Sequence, residues 1–413
     1  MSPPSIADPV ELPRFRPFVA RQSESGSLQA ALSFLDVRAP HSEQPYSEAM
    51  LFGLGGGIGF SYFVFEYKAA RIKTLTLGTR ITTLEESSRP QFLQTICERI
   101  GAPLRVLHPT TVAAANNGVR QALAEGTPAI VWIDLSGAPY HFAATAEYAA
   151  RVVCAWKDEQ ILLAGRSRRL LPFRRKAFEA ARSSMGVPKS RAVVVGRPDR
   201  TPNLATSVVE ALRETRDQMA RGIDVGQFRG NFGLAALEKW GSLLADERDR
   251  KGWPRFFPAG RDLLAALVAV FVQIELRGRG GGAFRGLYAD FLEEAAEATR
   301  RRRLKEAAEP FRLSARAWHN LARAALPNAV PALRQLRELT AAREALLTRE
   351  GAQGLARAAE LAEDARRLRR SIEENFPLQP GEVLDLLADL RRRVLQIHAL
   401  ESAALQALRA ALR

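Results

Sequence analysis

The apolar residues of this chain change their spacing once, near residues 192–203, and that change limits what the chain can fold into. Before it, strand-like runs alternate with helical ones. TLTLGTRITT alternates apolar and polar residues as a strand or hairpin does, and PQFLQTICERIGAP has helical spacing and stops at Gly101 and Pro103. RVLHPTTVAAANNGVRQALAEGTPAIVWIDL gives a short strand, a helix closed near Gly126 and the apolar strand Ala129 to Ile133. ARVVCAWKD, QILLAGRS and Ala192 to Val195 add three more strands. After VVVGRPDRTPNL, where Gly and Pro accumulate, only helix-period runs follow. The pattern predicts an α+β domain over residues 15–198 and a mostly α-helical remainder, divided at 199–340 and 341–413. From about Gly351 the chain reads as a helical hairpin. Val383, Leu387, Leu390, Val394 and Ile397 recur at 4-3-4-3 spacing, and Pro380 sits just inside the helix start. Such a seam packs within the chain or against a second copy in a homodimer.

Near the start of the α+β part, SESGSLQAALSFL reads as a helix entered through serines. Leu28, Ala31, Leu32 and Leu35 share one face, and Ser25 or Ser27 is the expected cap. Next comes Pro45 to Phe60, PYSEAMLFGLGGGIGF, where an amphipathic run breaks into Gly53, Gly55, Gly56, Gly57 and Gly59. Aromatics follow directly: Phe60, Tyr62, Phe63 and Phe65. No register gives G-x-G-x-x-G, and no Lys-Ser/Thr pair follows, so the run is neither a dinucleotide fingerprint nor a phosphate loop. Its glycines imply a tight turn.

The 60 basic and 45 acidic residues leave +15, mostly as arginine. An Arg/Ala-rich composition often reflects a GC-rich genome, and a nucleic-acid footprint has to be clustered, so binding to DNA or RNA is the least favoured class. RGRGGGAFRG (Arg277 to Gly286) is a single copy between helices and reads as an ordered loop rather than an RNA-binding tract. Cys97 and Cys154 form neither a disulfide framework nor a metal pattern. The five scattered histidines have no ligand at metal spacing. MSPPSIADPVELPRF carries no apolar signal core, and Leu263 to Ile274 is too short to span a bilayer. The expectation is a cytoplasmic protein without a membrane partner or metal.

The span from Arg21 to about Val195 resembles the N-terminal domain of butirosin biosynthesis protein H, a papain-like acyltransferase family. SESGSLQAAL, YSEAMLFGLGGGIGF, the VWIDLSGAPYH segment with Asp134, Tyr140 and His141, and VVCAWKDEQILLAGRS carry the likeness. RGNFGLAALEKW, KGWPRFFP and GRGGGAFRGLYADFLEEAAE resemble the domain of unknown function that commonly follows it. The resemblance implies an α+β, papain-like (cysteine-peptidase-like) N-terminal domain and a mostly α-helical C-terminal domain. It further implies an enzyme that moves an acyl group from a carrier-protein thioester, through a cysteine, to an amine in secondary metabolism, with no cofactor.

Residue by residue, the chain departs from that family's chemistry. The His-Cys pair at the first helix start falls on Gln22 and Ser23, the base position on Ala149 or Ala150, and the acid on Gly165. A glycine usual in the base-bearing strand is Ala155. Serine without an adjacent base is not activated, and His141 is the only nearby imidazole that could substitute. The leading expectation is a catalytically degenerate relative that acts as a partner, scaffold or carrier- or acyl-binding protein beside an active paralogue. The alternative is a serine-based or noncovalent acyltransferase, in which proximity does much of the work. An acidic acyl carrier protein suits the positive charge. RSRRLLPFRRK, with Arg174 and Arg175, and RRRLK (Arg301 to Lys305) are the candidate docking surfaces. The aromatics after the glycine run line an acyl channel or pack the core, and packing is the simpler role.

Overall fold

The computed structural model describes residues 9–80, 91–135, 148–184, 190–223, 226–277 and 281–413, without the side chains of residues 226 and 227. In chain order the first elements are β1 (Val10–Glu11), α1 (Ser23–Phe34), α2 (Glu48–Leu54), β2 (Ser61–Tyr67), β3 (Ile72–Gly78), α3 (Gln91–Ile100), β4 (Leu104–Leu107) and α4 (Val112–Ala124). Then come β5 (Ala129–Asp134), β6 (Tyr148–Trp156), β7 (Gln160–Ala164), β8 (Leu171–Arg174), α5 (Arg175–Ser183) and β9 (Ala192–Val195). From there the named elements are helices: α6 (Leu204–Arg221), α7 (Gly233–Leu244), α8 (Trp253–Phe256), α9 (Arg261–Phe271), α10 (Arg285–Thr299), α11 (Arg303–Ala325), α12 (Pro331–Glu350), α13 (Leu355–Glu374) and α14 (Pro380–Ala411). The change of apolar period at 192–203 is thus the change from mixed to helical structure.

Helix ends follow local chemistry. Ser47 and Thr111 cap α2 and α4 by accepting the N–H groups of Met50 and Ala114. Gly101 and Gly126, both left-handed, close α3 and α4. Pro380 opens α14 behind a reciprocal Gln379–Glu382 capping box.

The chain divides into two compact units that interleave in sequence. The first comprises residues up to Gly55, Leu84–Ser207 and Arg343–Glu360; the second comprises Gly56–Thr83, Val208–Ala342 and Leu361–Arg413. These divisions differ from cuts at 198 and 340. The β2–β3 hairpin belongs to the helical second unit, and Arg343–Glu360 returns to the first. There Glu344 meets the Arg166 guanidinium at 2.6 Å.

The first unit is built on an antiparallel sheet ordered β4-β9-β5-β6-β7-β8, with β1 also paired to β6. Every residue of β5 is buried, as its unbroken apolar run requires. Helix α1 packs on β6 and β5, and α5 packs on β5 and β8. The β6–β7 register shifts between Val153 and Ala155, which leaves Cys154 at a bulge.

In the second unit, Phe60 and Tyr62 lie in an aromatic core with Trp240, Trp253 and Trp318. The 4-3-4-3 seam of α14 is buried, and its main partners are α11 and α7 rather than α13. The segment expected to form a self-packed hairpin therefore supplies one long bundle helix. Arg285 comes from the Arg-Gly loop and is fully buried. It pairs with fully buried Glu401 of α14 at 2.7 Å and donates to the carbonyls of Gly59, Thr79 and Ala283. Ser314 and Trp318 of α11 also donate to Glu401.

Candidate functional site

The N-terminus of α1 is fixed by a hydrogen-bonded lock. Gln22, in extended conformation, is the N-cap: its Oε1 accepts the N–H groups of Glu24 (2.9 Å) and Ser25 (2.7 Å) and the Ser25 hydroxyl (3.0 Å). This corrects the expectation that Ser25 or Ser27 caps the helix, since Ser25 is a donor to the cap. The Glu48 carboxylate, at the start of α2, accepts the backbone N–H groups of Arg21 (3.0 Å) and Gln22 (2.6 Å). Burial pushes the Glu48 carboxyl above its usual range, and these bonds only partly offset the rise. Gly26 completes the lock: a Cβ there would lie 2.4 Å from the Ala20 side chain, so only glycine admits the incoming strand.

Ser23 is the first residue of α1, half-buried, and its Oγ accepts the Ala150 N–H at 3.4 Å. The structure thus brings together Ser23 and Ala150, two positions that the resemblance had singled out. Ala149 and Ala150 are both buried in β6, opposite Ile133 and Trp132, and neither can take a proton. Among the described residues no imidazole or carboxylate hydrogen-bonds to the Ser23 hydroxyl. Glu24 lies next to it in sequence but turns to β5, where it accepts Trp132 Nε1–H at 3.1 Å, while its other oxygen takes Gln22 Nε2–H at 3.2 Å. The Arg191 guanidinium covers the Trp132 ring at 4.5 Å. Asp134, at the end of β5, accepts the Ser184 hydroxyl at 3.2 Å.

Gly165 bridges to Val19 and has φ +121°, a region L side chains rarely enter. The Arg151 stem and the Phe18 ring stand 3.4 Å from where its Cβ would be. Gly165, which the resemblance sets against the family's acid, is therefore a positive-φ glycine beside a buried arginine, whose Nη1 is bonded to the Ala150 carbonyl at 2.7 Å. Tyr140 and His141 lie outside the described residues.

The other sequence candidates separate. Gly53 is inside α2, and Gly55, its C-cap, packs under Phe92. Gly56 and Gly57 turn at positive φ in the second unit, where Gly57 faces Tyr288. Tyr62 belongs to that unit's core, as does Phe60, whereas Phe65 is exposed, so the aromatic run packs only in part. Arg174 is exposed. Arg175 is tied to Glu179 at 3.2 Å, and Arg166 is buried on Glu344, which removes it from the docking stretch. Cys154 and Cys97 are buried; burial lifts both thiols, that of Cys97 to about 12, so neither is a nucleophile near neutral pH. Among the described residues no group of His, Cys, Asp and Glu could hold a metal ion. No described helix is long and apolar enough to cross a membrane.

Residues 22–162 match the family model "Butirosin biosynthesis protein H, N-terminal", and residues 176–356 match "Domain of unknown function (DUF4872)". The two matches follow one another along the chain, the first over its mixed part and the second over much of its helical part. A solved structure described as a C39-like peptidase from Bacillus anthracis is similar over 47% of this chain and 100% of its own, at 13% identity and a TM-score of 0.31. No curated protein matches the chain.

Sequence reasoning missed Glu48, Trp132 and Arg191 as parts of one site, because they lie far apart in the chain. Arg151 did leave a signal: a charge amid the apolar run of ARVVCAW is either buried on a partner or misplaced.

Proposed function

We propose that this protein is a catalytically degenerate, acyltransferase-like member of its family. It retains the acyltransferase frame of secondary metabolism and serves as a partner or acyl- or carrier-binding protein. The observation that carries this reading is the setting of Ser23, whose hydroxyl, among the described residues, only accepts a hydrogen bond, from Ala150 N–H, at the place where a base is needed. The positive end of α1 favours an anion there, but a serine hydroxyl far from ionisation near neutral pH still requires a base. Gly165 supplies no carboxylate to orient one. The lock of Gln22, Glu48 and Gly26 preserves the shape of the turn without its chemistry.

An acidic acyl carrier protein is the proposed partner, supported by the net charge and by exposed Arg174 and Lys176. Two free, buried cysteines support a reducing, cytoplasmic setting. The test is an assay of the full chain with acyl-carrier thioesters and an amine. The expected outcome is carrier binding weakened by Arg174→Glu, with no amide product. Turnover abolished by Ser23→Ala overturns the proposal in favour of a serine-based enzyme.

A further inference from the structure

The β2–β3 hairpin carries apolar side chains on both faces, and among the described residues only one face is fully covered. Pairing is antiparallel, with Phe63 opposite Thr76, Phe65 opposite Thr74 and Tyr67 opposite Ile72. The alternate face, with Tyr62, Leu75 and Leu77, is buried, and Gln273 bonds to the backbone of Leu75 and Leu77. A ribbon buried on one face normally turns polar side chains outward. Here the outward face carries a ladder: Phe63 stacks on Phe65 at 5.8 Å, Phe65 meets Tyr67 at 6.5 Å, and Phe228 joins Phe63 at 6.2 Å. Phe65 is 43% exposed, Tyr67 56%, Ile72 46% and Phe228 47%.

Exposure rises along β2 toward the turn, whose apex is Ala69 and Ala70, both exposed and uncharged. Cations flank the apex and the ladder: Lys68 and Arg71 at the turn and Arg229 beside Phe228, all exposed. The charged pair Glu66 and Lys73 lies on the opposite face, where Lys73 meets Asp262 at 3.5 Å. Exposed rings with cations beside them suit a lipid interface: anionic headgroups take the cations, and ring side chains sit at headgroup level. We propose that this hairpin is a peripheral docking element for an anionic lipid surface, with Phe65, Tyr67 and Ile72 entering the interface and Lys68 and Arg71 binding headgroups. The inference does not depend on the reading of Ser23.

The test is flotation of the full chain with phosphatidylcholine vesicles, with and without phosphatidylglycerol. Binding is expected only with the anionic lipid and should fall steeply with salt. Lys68→Glu/Arg71→Glu and Phe65→Ser/Tyr67→Ser should each weaken it by more than about tenfold, while Arg174→Glu, in the first unit, should not. All substituted side chains are exposed, so thermal melts should be unchanged. Failure to bind anionic vesicles, or equal binding by the variants, overturns the proposal. Self-association abolished by Phe65→Ser/Tyr67→Ser without vesicle binding also overturns it, and assigns the face to a second copy.

Discussion

Glu48 holds the backbone entering α1 with both of its oxygens, so its protonation bears on the geometry of Ser23. Its carboxyl sits above the ordinary value of 4.5, chiefly through burial. The folded state therefore binds this proton more tightly than the unfolded chain. The associated stability is fully present below pH 4.5 and is lost as pH rises through the elevated value. Urea melts across that range should show the native chain losing stability relative to Glu48→Gln as pH increases; parallel profiles would contradict the assignment. A second residue-scale expectation concerns the thiols. Cys97 and Cys154 should resist alkylation in the native chain and both react in denaturant. Little of this was legible in sequence. Ser25 looked like a cap because serine caps often, yet the helix starts earlier and the longer Gln22 side chain takes the Glu24 and Ser25 N–H groups, a three-dimensional fact without a periodic signature.

Elements were far more legible than their partners. Ala192–Val195 and the ends of α3 and α4 agree with their patterning because apolar alternation, left-handed glycine and proline act locally. β3, within TLTLGTRITT, and α14 were visible as elements and β2 was not, and the placement of all three in the second unit depends on contacts between distant segments. Close approach is likewise invisible from spacing. Gly26→Ala should destabilise the first unit by about 1–3 kcal/mol, since the added methyl meets Ala20. Gly57→Ala, at φ +60° with Tyr288 2.6 Å from the new Cβ, should cost the second unit about as much. Chemical denaturation checks both, and a neutral effect at either position would show that the chain can relax there.

At the scale of the molecule, the second unit is joined around one buried charge pair. Glu401→Ala strands Arg285 among α10, α11 and α14 and should cost about 3–5 kcal/mol, whereas replacing both with apolar residues of similar volume should cost much less. Thermal melts of the single and double variants distinguish the two outcomes. The first unit is a frame of antiparallel sheet and helices, whose matching family model was legible from its motifs, around a position where Ser23 faces Ala150. Intact-mass spectrometry after incubation with an acyl-carrier thioester, comparing the native chain with Ser23→Ala, tests whether that frame still acylates itself. No adduct on either chain is the expected result. A stoichiometric acyl adduct on the native chain, mapped to Ser23 and absent from Ser23→Ala, would contradict it.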